Sequence, residues 1–317
     1  MLRLIIASLV AAAALADNGD PEAILGPYTT SLKAFSLNSD IQNPQEDKVS
    51  VWYPSGVAAG SNITFDQSNF KFISYAHGMF GGGSLDIPAY NDLLHSMASF
   101  GYIIGGTHQC SVGCFDDCVS LKKDPPCFGN YYKKQLNVID WAKECSVGDS
   151  DCAEPFVHVD WSEGVGIAGH SMGGQATVFS SSYGNPEQYD IRAAVMHHAF
   201  SHTFPAPTIP FLDFTGEKDS TAPADTMGVP IYESADGSGL HRGLVDKTMA
   251  NHHEPDITCR DRNGIKLLAQ FSAAWFKLYL DKTPQDFGLD FKEMVYGAGS
   301  GGLCSGGDGD MTRCSVE

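Results

Sequence analysis

Basic residues are scarce in this sequence. Lys and Arg number 20 against 38 Asp and Glu, for a net charge of −18. A nucleic-acid-binding surface needs a basic face to displace counterions, and an anionic membrane surface selects for the same excess. The charge argues against both partner classes, and the acidic balance is read as a solubilising surface. Long apolar runs are also missing: beyond the N-terminus no stretch approaches the roughly twenty apolar residues of a membrane span, so no integral membrane segment is expected in the mature chain. There is no internal repeat and no long linker to mark a boundary. Charged residues make up only 18% against 43% hydrophobic, which excludes extended disorder and leaves enough apolar material for a large core.

What is present begins with "MLRLIIASLVAAAALADNGD". Arg3, the apolar run after it and the small residues Ala14 and Ala16 describe a secretory signal peptide over residues 1–16. Nine cysteines, at 110, 114, 118, 127, 145, 152, 259, 304 and 314, fit that route, where disulfides are the default. Cys145 with Cys152 and Cys304 with Cys314 are the simplest local pairs, and the odd count leaves at least one thiol over. "HQCSVGCFDDC" matches no usual zinc spacing, so no metal is assigned to it. Asn62-Ile63-Thr64 is a glycosylation sequon.

Residues 17–295 are expected to form one domain, interrupted by a Cys-rich insert over 110–127. "KVSVWYP", "FKFISYAHG", "YIIGGTH", "VGIAG", "IRAAVMHH" and "IPFLDFTG" carry strand signals. Between them, Tyr90, Leu93, Leu94 and Met97 recur at helical spacing, as do Tyr132, Leu136, Ile139 and Ala142, and Leu268, Phe271, Trp275 and Leu278. Strands alternating with helices imply an α/β domain, a doubly wound and mostly parallel sheet with helices on both faces. Residues 296–317 are rich in Gly and Cys and are expected to form an irregular tail; Asp308 and Asp310 in it are read as ordinary loop acids.

The stretch "GVGIAGHSMGGQATV" sets Ser171 between a strand and a helix-compatible segment, in the Gly-x-Ser-x-Gly pattern of a nucleophile elbow. Gly169 and Gly173 omit the side chains that would keep strand and helix apart. A nucleophile there needs an acid and then a histidine later in the chain. "IPFLDFTGEKDSTAPAD" places Asp219 in the loop beyond a strand, ahead of Asp213, which lies within the strand. "MANHHEPD" offers His252 and His253 before the last long helix. Two backbone amides complete the set as an oxyanion hole: that of Met172, after the serine, and that of Met79 in "FISYAHGMFGGG".

On "AHGMFGGG", "GHSMGG", "TGEKDSTAP" and "NHHEPD", the sequence resembles α/β-hydrolase-fold serine esterases, in the branch that holds chlorophyllases, cutinase-like polyester hydrolases and platelet-activating-factor acetylhydrolase-like enzymes. The resemblance runs from about Ser50 to Leu280. It selects His252 over His253, because the histidine followed by two residues and then Pro is the catalytic one in that branch. It implies a Ser171, Asp219, His252 triad working through an acyl-enzyme without a cofactor. By resemblance to polyester hydrolases, Phe80 and Phe200 are apolar walls of the cleft. Met172 is what polyester hydrolases carry, where chlorophyllases tend to have Arg. Only "AFSHTFPAPT" separates two strands at the usual position of a lid, so no cap domain is expected, and the Cys110–Cys127 insert is placed as a rim. The expected function is a secreted hydrolase of small or polymeric apolar esters. Acyl transfer to an alcohol with the same triad, or a binding protein on the hydrolase fold, are the alternatives.

Overall fold

The computed structural model describes residues 23–37, 48–61, 63–65, 70–79, 87–110, 130–147, 151–256, 258–259, 261–299, 301–304 and 311–317. Residues 1–16, Asn62, Phe80, Cys114, Cys118 and Cys127 lie outside them, and with them the expected signal peptide, the sequon, one expected cleft wall and most of the expected rim.

In chain order the elements are β1 (Tyr28–Ser36), β2 (Lys48–Val57), β3 (Lys71–Ala76), α1 (Asn91–Ala98), β4 (Tyr102–Thr107), α2 (Tyr131–Val147), α3 (Ala153–Phe156), β5 (Val165–His170) and α4 (Met172–Ser180). They continue with α5 (Asn185–Tyr189), β6 (Ile191–His197), β7 (Phe211–Gly216), α6 (Gly228–Glu233), β8 (Arg242–Lys247), α7 (Arg262–Tyr279), the two-residue strands β9 (Gln285–Asp286) and β10 (Leu289–Asp290), α8 (Phe291–Tyr296) and β11 (Met311–Val316). Nine strands form one sheet in the order β1-β2-β4-β3-β5-β6-β7-β8-β11. The run from β4 through β3 to β8 is parallel; β1, β2 and β11 pair antiparallel at the edges.

Strand alternation divides the side chains between two cores. On β3, Ile73 and Tyr75 face a core that contains Trp275 and Phe276 of α7 and Leu93 of α1. Phe72 faces the other, with Leu136 and Ile139 of α2 and Phe156. On β6, Ala193 and Val195 join the first core and Ala194 and Met196 the second. Strands covered on both faces are continuously apolar, which explains why the six internal runs were recognisable.

Three strands of the nine-stranded sheet carried no such signal. In β1 all but one residue are partly or fully exposed, and β8 hides between Arg242 and Lys247, its terminal residues. The third, β11, corrects the expectation of an irregular end: the last residues pair with β8, and the Cys304–Cys314 disulfide ties them to the segment after α8. Cys145–Cys152 joins the end of α2 to the residue before α3. Cys110 is also disulfide-bonded, and Cys259 is a free thiol.

The Cys145–Cys152 bridge closes a short loop against the α2 side of the sheet, and chain-entropy arguments give such a loop about 2 kcal/mol. Cys145→Ala/Cys152→Ala is therefore expected to lower Tm by about 4–8 °C. A thermal scan by circular dichroism checks this, and a change under about 1 °C contradicts it.

Candidate active site

Ser171 occupies the one-residue turn between β5 and α4, with φ 55° and ψ −117°. This left-handed conformation is costly for a residue with a Cβ and persists only where its surroundings hold it. Three backbone hydrogen bonds do so. Ser171 N–H donates to the His197 carbonyl at 3.1 Å, and its own carbonyl accepts from Gln175 N–H at 3.1 Å and Phe200 N–H at 3.0 Å. The glycines on either side allow the close approach. A Cβ on Gly173 would lie 1.9 Å from the Ala76 carbonyl oxygen, and one on Gly169 would lie 2.3 Å from that of Gly173.

Two loops at the same sheet edge deliver the partners. His252 Nε2 lies 2.8 Å from Ser171 Oγ, and His252 Nδ1 lies 2.8 Å from Asp219 Oδ2. Asp219 follows β7, and its Oδ1 accepts from the Thr221 and Ala222 amides at 2.8 and 2.7 Å. The alternatives are arranged otherwise. Asp213 is fully buried within β7, neither of its carboxyl oxygens has a hydrogen-bond partner among the described residues, and burial pushes its pKa well up. His253 is exposed and bonds Asp256 Oδ2 at 2.7 Å.

A second histidine also reaches Asp219. His198, the residue after β6, places Nδ1 2.9 Å from the same Asp219 Oδ2 and Nε2 3.1 Å from Glu254 Oε2, and is wholly buried. Burial opposes its charge, but hydrogen bonds to Asp219 and Glu254 more than reverse this and lift its pKa to about 9. Burial likewise pushes Asp219 up, and the bonds from His198 and His252 bring it well below the usual carboxylate range. Glu254 is held at about 2 against its burial by the Lys247 charge and the His198 bond.

Behind the serine, a hydrogen-bond chain joins two loops. Gly78 N–H donates to Tyr90 Oη at 3.0 Å, Tyr90 Oη lies 2.8 Å from His170 Nδ1, and His170 Nε2 lies 2.7 Å from the His252 carbonyl. Burial depresses the His170 pKa well below 6.5, so its ring is neutral with a single N–H. The carbonyl can only accept, so that proton sits on Nε2, and Tyr90 must donate to Nδ1. The directions therefore run one way, from Gly78 through Tyr90 to His170 to His252.

Met172 is the first residue of α4, and a Cβ on Gly78 would come within 3.1 Å of Ser171 Cβ. The segment that carries Gly78 thus lies against the serine. Met79 and Phe200 pack with Met172, Tyr131, Ala176 and Cys110 in a small apolar cluster. Phe80 lies outside the described residues. His198, Asp219 and His252 offer ligand atoms within 4.8 Å of one another. Both Nδ1 protons, however, are directed at one carboxylate oxygen, and His198 also donates to Glu254, a donor set arranged for hydrogen bonding and not for a cation.

A family model described as PET hydrolase-like matches residues 87–287, well over half of the 317 residues. The chain belongs to the PET hydrolase-like family. No match is found among curated proteins. Membership makes the architecture an α/β-hydrolase fold and the protein a serine hydrolase of ester bonds, in line with the polyester-hydrolase resemblance of its motifs. Within this PET hydrolase-like site, sequence reasoning did not single out His198, Glu254, Tyr90 or His170. Glu254 and His170 stood inside the quoted motifs, and His198 stood at the end of a strand signal, where ligand-facing residues of α/β sheets lie. Tyr90 was read only as one of a helix's buried residues.

Removing the Tyr90 hydroxyl leaves Gly78 N–H and His170 Nδ1 buried without that partner. Tyr90→Phe is expected to lose about 1–3 kcal/mol of stability. Urea denaturation measures it, and an unchanged midpoint contradicts the chain.

Proposed function

We propose that this PET hydrolase-like protein is a secreted carboxylic-ester hydrolase with Ser171 as nucleophile, His252 as general base and acid, and Asp219 as the carboxylate that orients His252. The observation that carries the reading is the unbroken relay from Ser171 Oγ to His252 Nε2 and from His252 Nδ1 to Asp219 Oδ2, both at 2.8 Å. His252 takes the serine proton as Oγ attacks the ester carbonyl. The ionised Asp219 fixes the tautomer with its proton on Nδ1, which leaves Nε2 free to accept. Negative charge then develops on the carbonyl oxygen, where the Met79 and Met172 amides receive it, with the N-terminus of α4 adding its dipole. Collapse of the intermediate expels the alcohol, protonated by His252, and water repeats the sequence to free the acid.

The substrate reading is an accessible apolar ester, of the polyester or cutin kind. It is supported by the family match, by the apolar side chains of Met79, Met172 and Phe200, and by the connection over residues 198–210, which contains no helix that would form a cap. Secretion is supported by the leader-like N-terminus and by the disulfides. Among the described residues no helix is long and apolar enough to cross a membrane.

Hydrolysis of a short p-nitrophenyl ester tests the triad. Ser171→Ala is expected to abolish turnover, a loss of about a million-fold, with Tm near that of the unaltered protein. His252→Ala should lose about as much, and the double variant scarcely more, because the members act as a unit. His253→Ala should change the rate by about tenfold or less, since its ring bonds Asp256 and not the serine. An active His252→Ala beside a dead His253→Ala contradicts the assignment.

A further inference from the structure

His198 stands outside the relay and yet shares its carboxylate. The groups that face it are Asp219 from the loop after β7, Glu254 and His252 from the loop before α7, and His170 at the end of β5. His197, the last residue of β6, precedes it in the chain, and Asp213 of β7 is within electrostatic range. Burial favours the protonated carboxyl of Asp213 and the neutral rings of His170 and His197, lowering the pKa of His197 to about 3. The ionised groups left on its two ring nitrogens are the carboxylates of Asp219 and Glu254. An ionised carboxylate only accepts, so both nitrogens must donate and the ring must carry both protons. Glu254 is in turn paired with Lys247 of β8.

We propose that His198 is a positioning residue for ester hydrolysis: an imidazolium clamped between Asp219 and Glu254, which fixes the Asp219 carboxylate so that Oδ2 receives the His252 Nδ1 proton. This rests on the triad reading above. Asp219 has four hydrogen bonds to orient it. Two backbone amides hold Oδ1, and without His198 the other oxygen, Oδ2, keeps only the histidine it is meant to orient. The Lys247–Glu254 pair is the counterweight. Lys247 keeps Glu254 ionised, and the Glu254 carboxylate supplies the negative charge that keeps His198 doubly protonated, so that its Nδ1 proton stays on the Asp219 side. A neutral His198 can donate through one nitrogen only, and the clamp then opens at one end. Since the His198 pKa is raised from 6.5 to about 9, its stabilisation is complete below pH 6.5 and is lost as pH rises through about 9.

The test is kinetic and uses two amide replacements that both abolish the imidazolium. The Asn side-chain nitrogen reaches the place of Nδ1 and keeps a donor to Asp219; the Gln nitrogen reaches the place of Nε2 and keeps a donor to Glu254. With a short alkyl ester followed by titration of released acid, His198→Gln is expected to lower kcat by roughly ten- to a hundredfold with KM within about twofold, whereas His198→Asn keeps most of kcat. Neither variant should show the fall in kcat near pH 9 expected of the unaltered enzyme. Glu254→Gln, which leaves the ring in place, should move that fall to lower pH. Equal losses in the Asn and Gln variants, or a Gln variant at full kcat with its alkaline fall intact, overturn the proposal. If the replacements do not fold, nitrogen NMR of the unaltered protein decides it: an imidazole with both nitrogens protonated at pH 7 and a midpoint near 9 supports the clamp, and its absence refutes it. Hydrolysis surviving in Ser171→Ala refutes the triad reading itself; a dead Ser171→Ala beside an unaffected His198→Gln refutes only the role of His198.

Discussion

One carboxylate gathers the candidate site. Asp219 accepts hydrogen bonds from two amides of its own loop, from His252 and from His198, and those two histidines lie on different segments of the chain. Its acidity follows from the bonds of His198 and His252, the His198 charge and the Ala222 amide, against the opposing effect of burial. An anion so held is an orienting group and not a base, and the part assigned to Asp219 in the proposed mechanism requires that difference. The same convergence fixes where the loops after β6, β7 and β8 meet, so the site and the local fold share one electrostatic centre.

The second constraint is steric and lies at the other end of the relay. Ser171 keeps its left-handed backbone because β5, β3 and α4 approach so closely that a Cβ at Gly173 would strike the Ala76 carbonyl. The parallel central strands make this approach repeatable, since they bring every loop that carries a candidate residue to one edge of the sheet. From that edge the Gly78–Tyr90–His170–His252 chain links the loop of one proposed oxyanion donor to the loop of the proposed base. A shift in either loop is thereby felt by the other.

Legibility in the sequence followed burial and spacing. The central strands announced themselves because both faces are covered, and the elbow did so because glycines flank a serine at a strand end. Asp219 was separable from Asp213 because one falls in a loop and the other inside an apolar run. The edge strands β1 and β11 were missed because half-exposed strands carry mixed polarity, and β11 lies in a Gly-rich and Cys-rich stretch that imitates a coil; β8, although buried between β7 and β11, was missed because Arg242, Asp246 and Lys247 leave only Leu244 and Val245 as an apolar run. His198 was missed for a different reason. Its importance comes from what lies across from it in space, Asp219 and Glu254, 21 and 56 residues later in the chain. Tyr90 was hidden by its ring, which fits an apolar helix pattern while its hydroxyl serves the site.

Everything proposed for this PET hydrolase-like chain depends on Ser171 Oγ being the atom that attacks the ester. Incubation with a fluorophosphonate, followed by peptide mass mapping of the full chain, tests that point directly. The account predicts a single phosphonyl adduct on Ser171, formed at a rate that collapses in His252→Ala. An adduct on any other side chain, or no adduct on a protein that still hydrolyses esters, would contradict it.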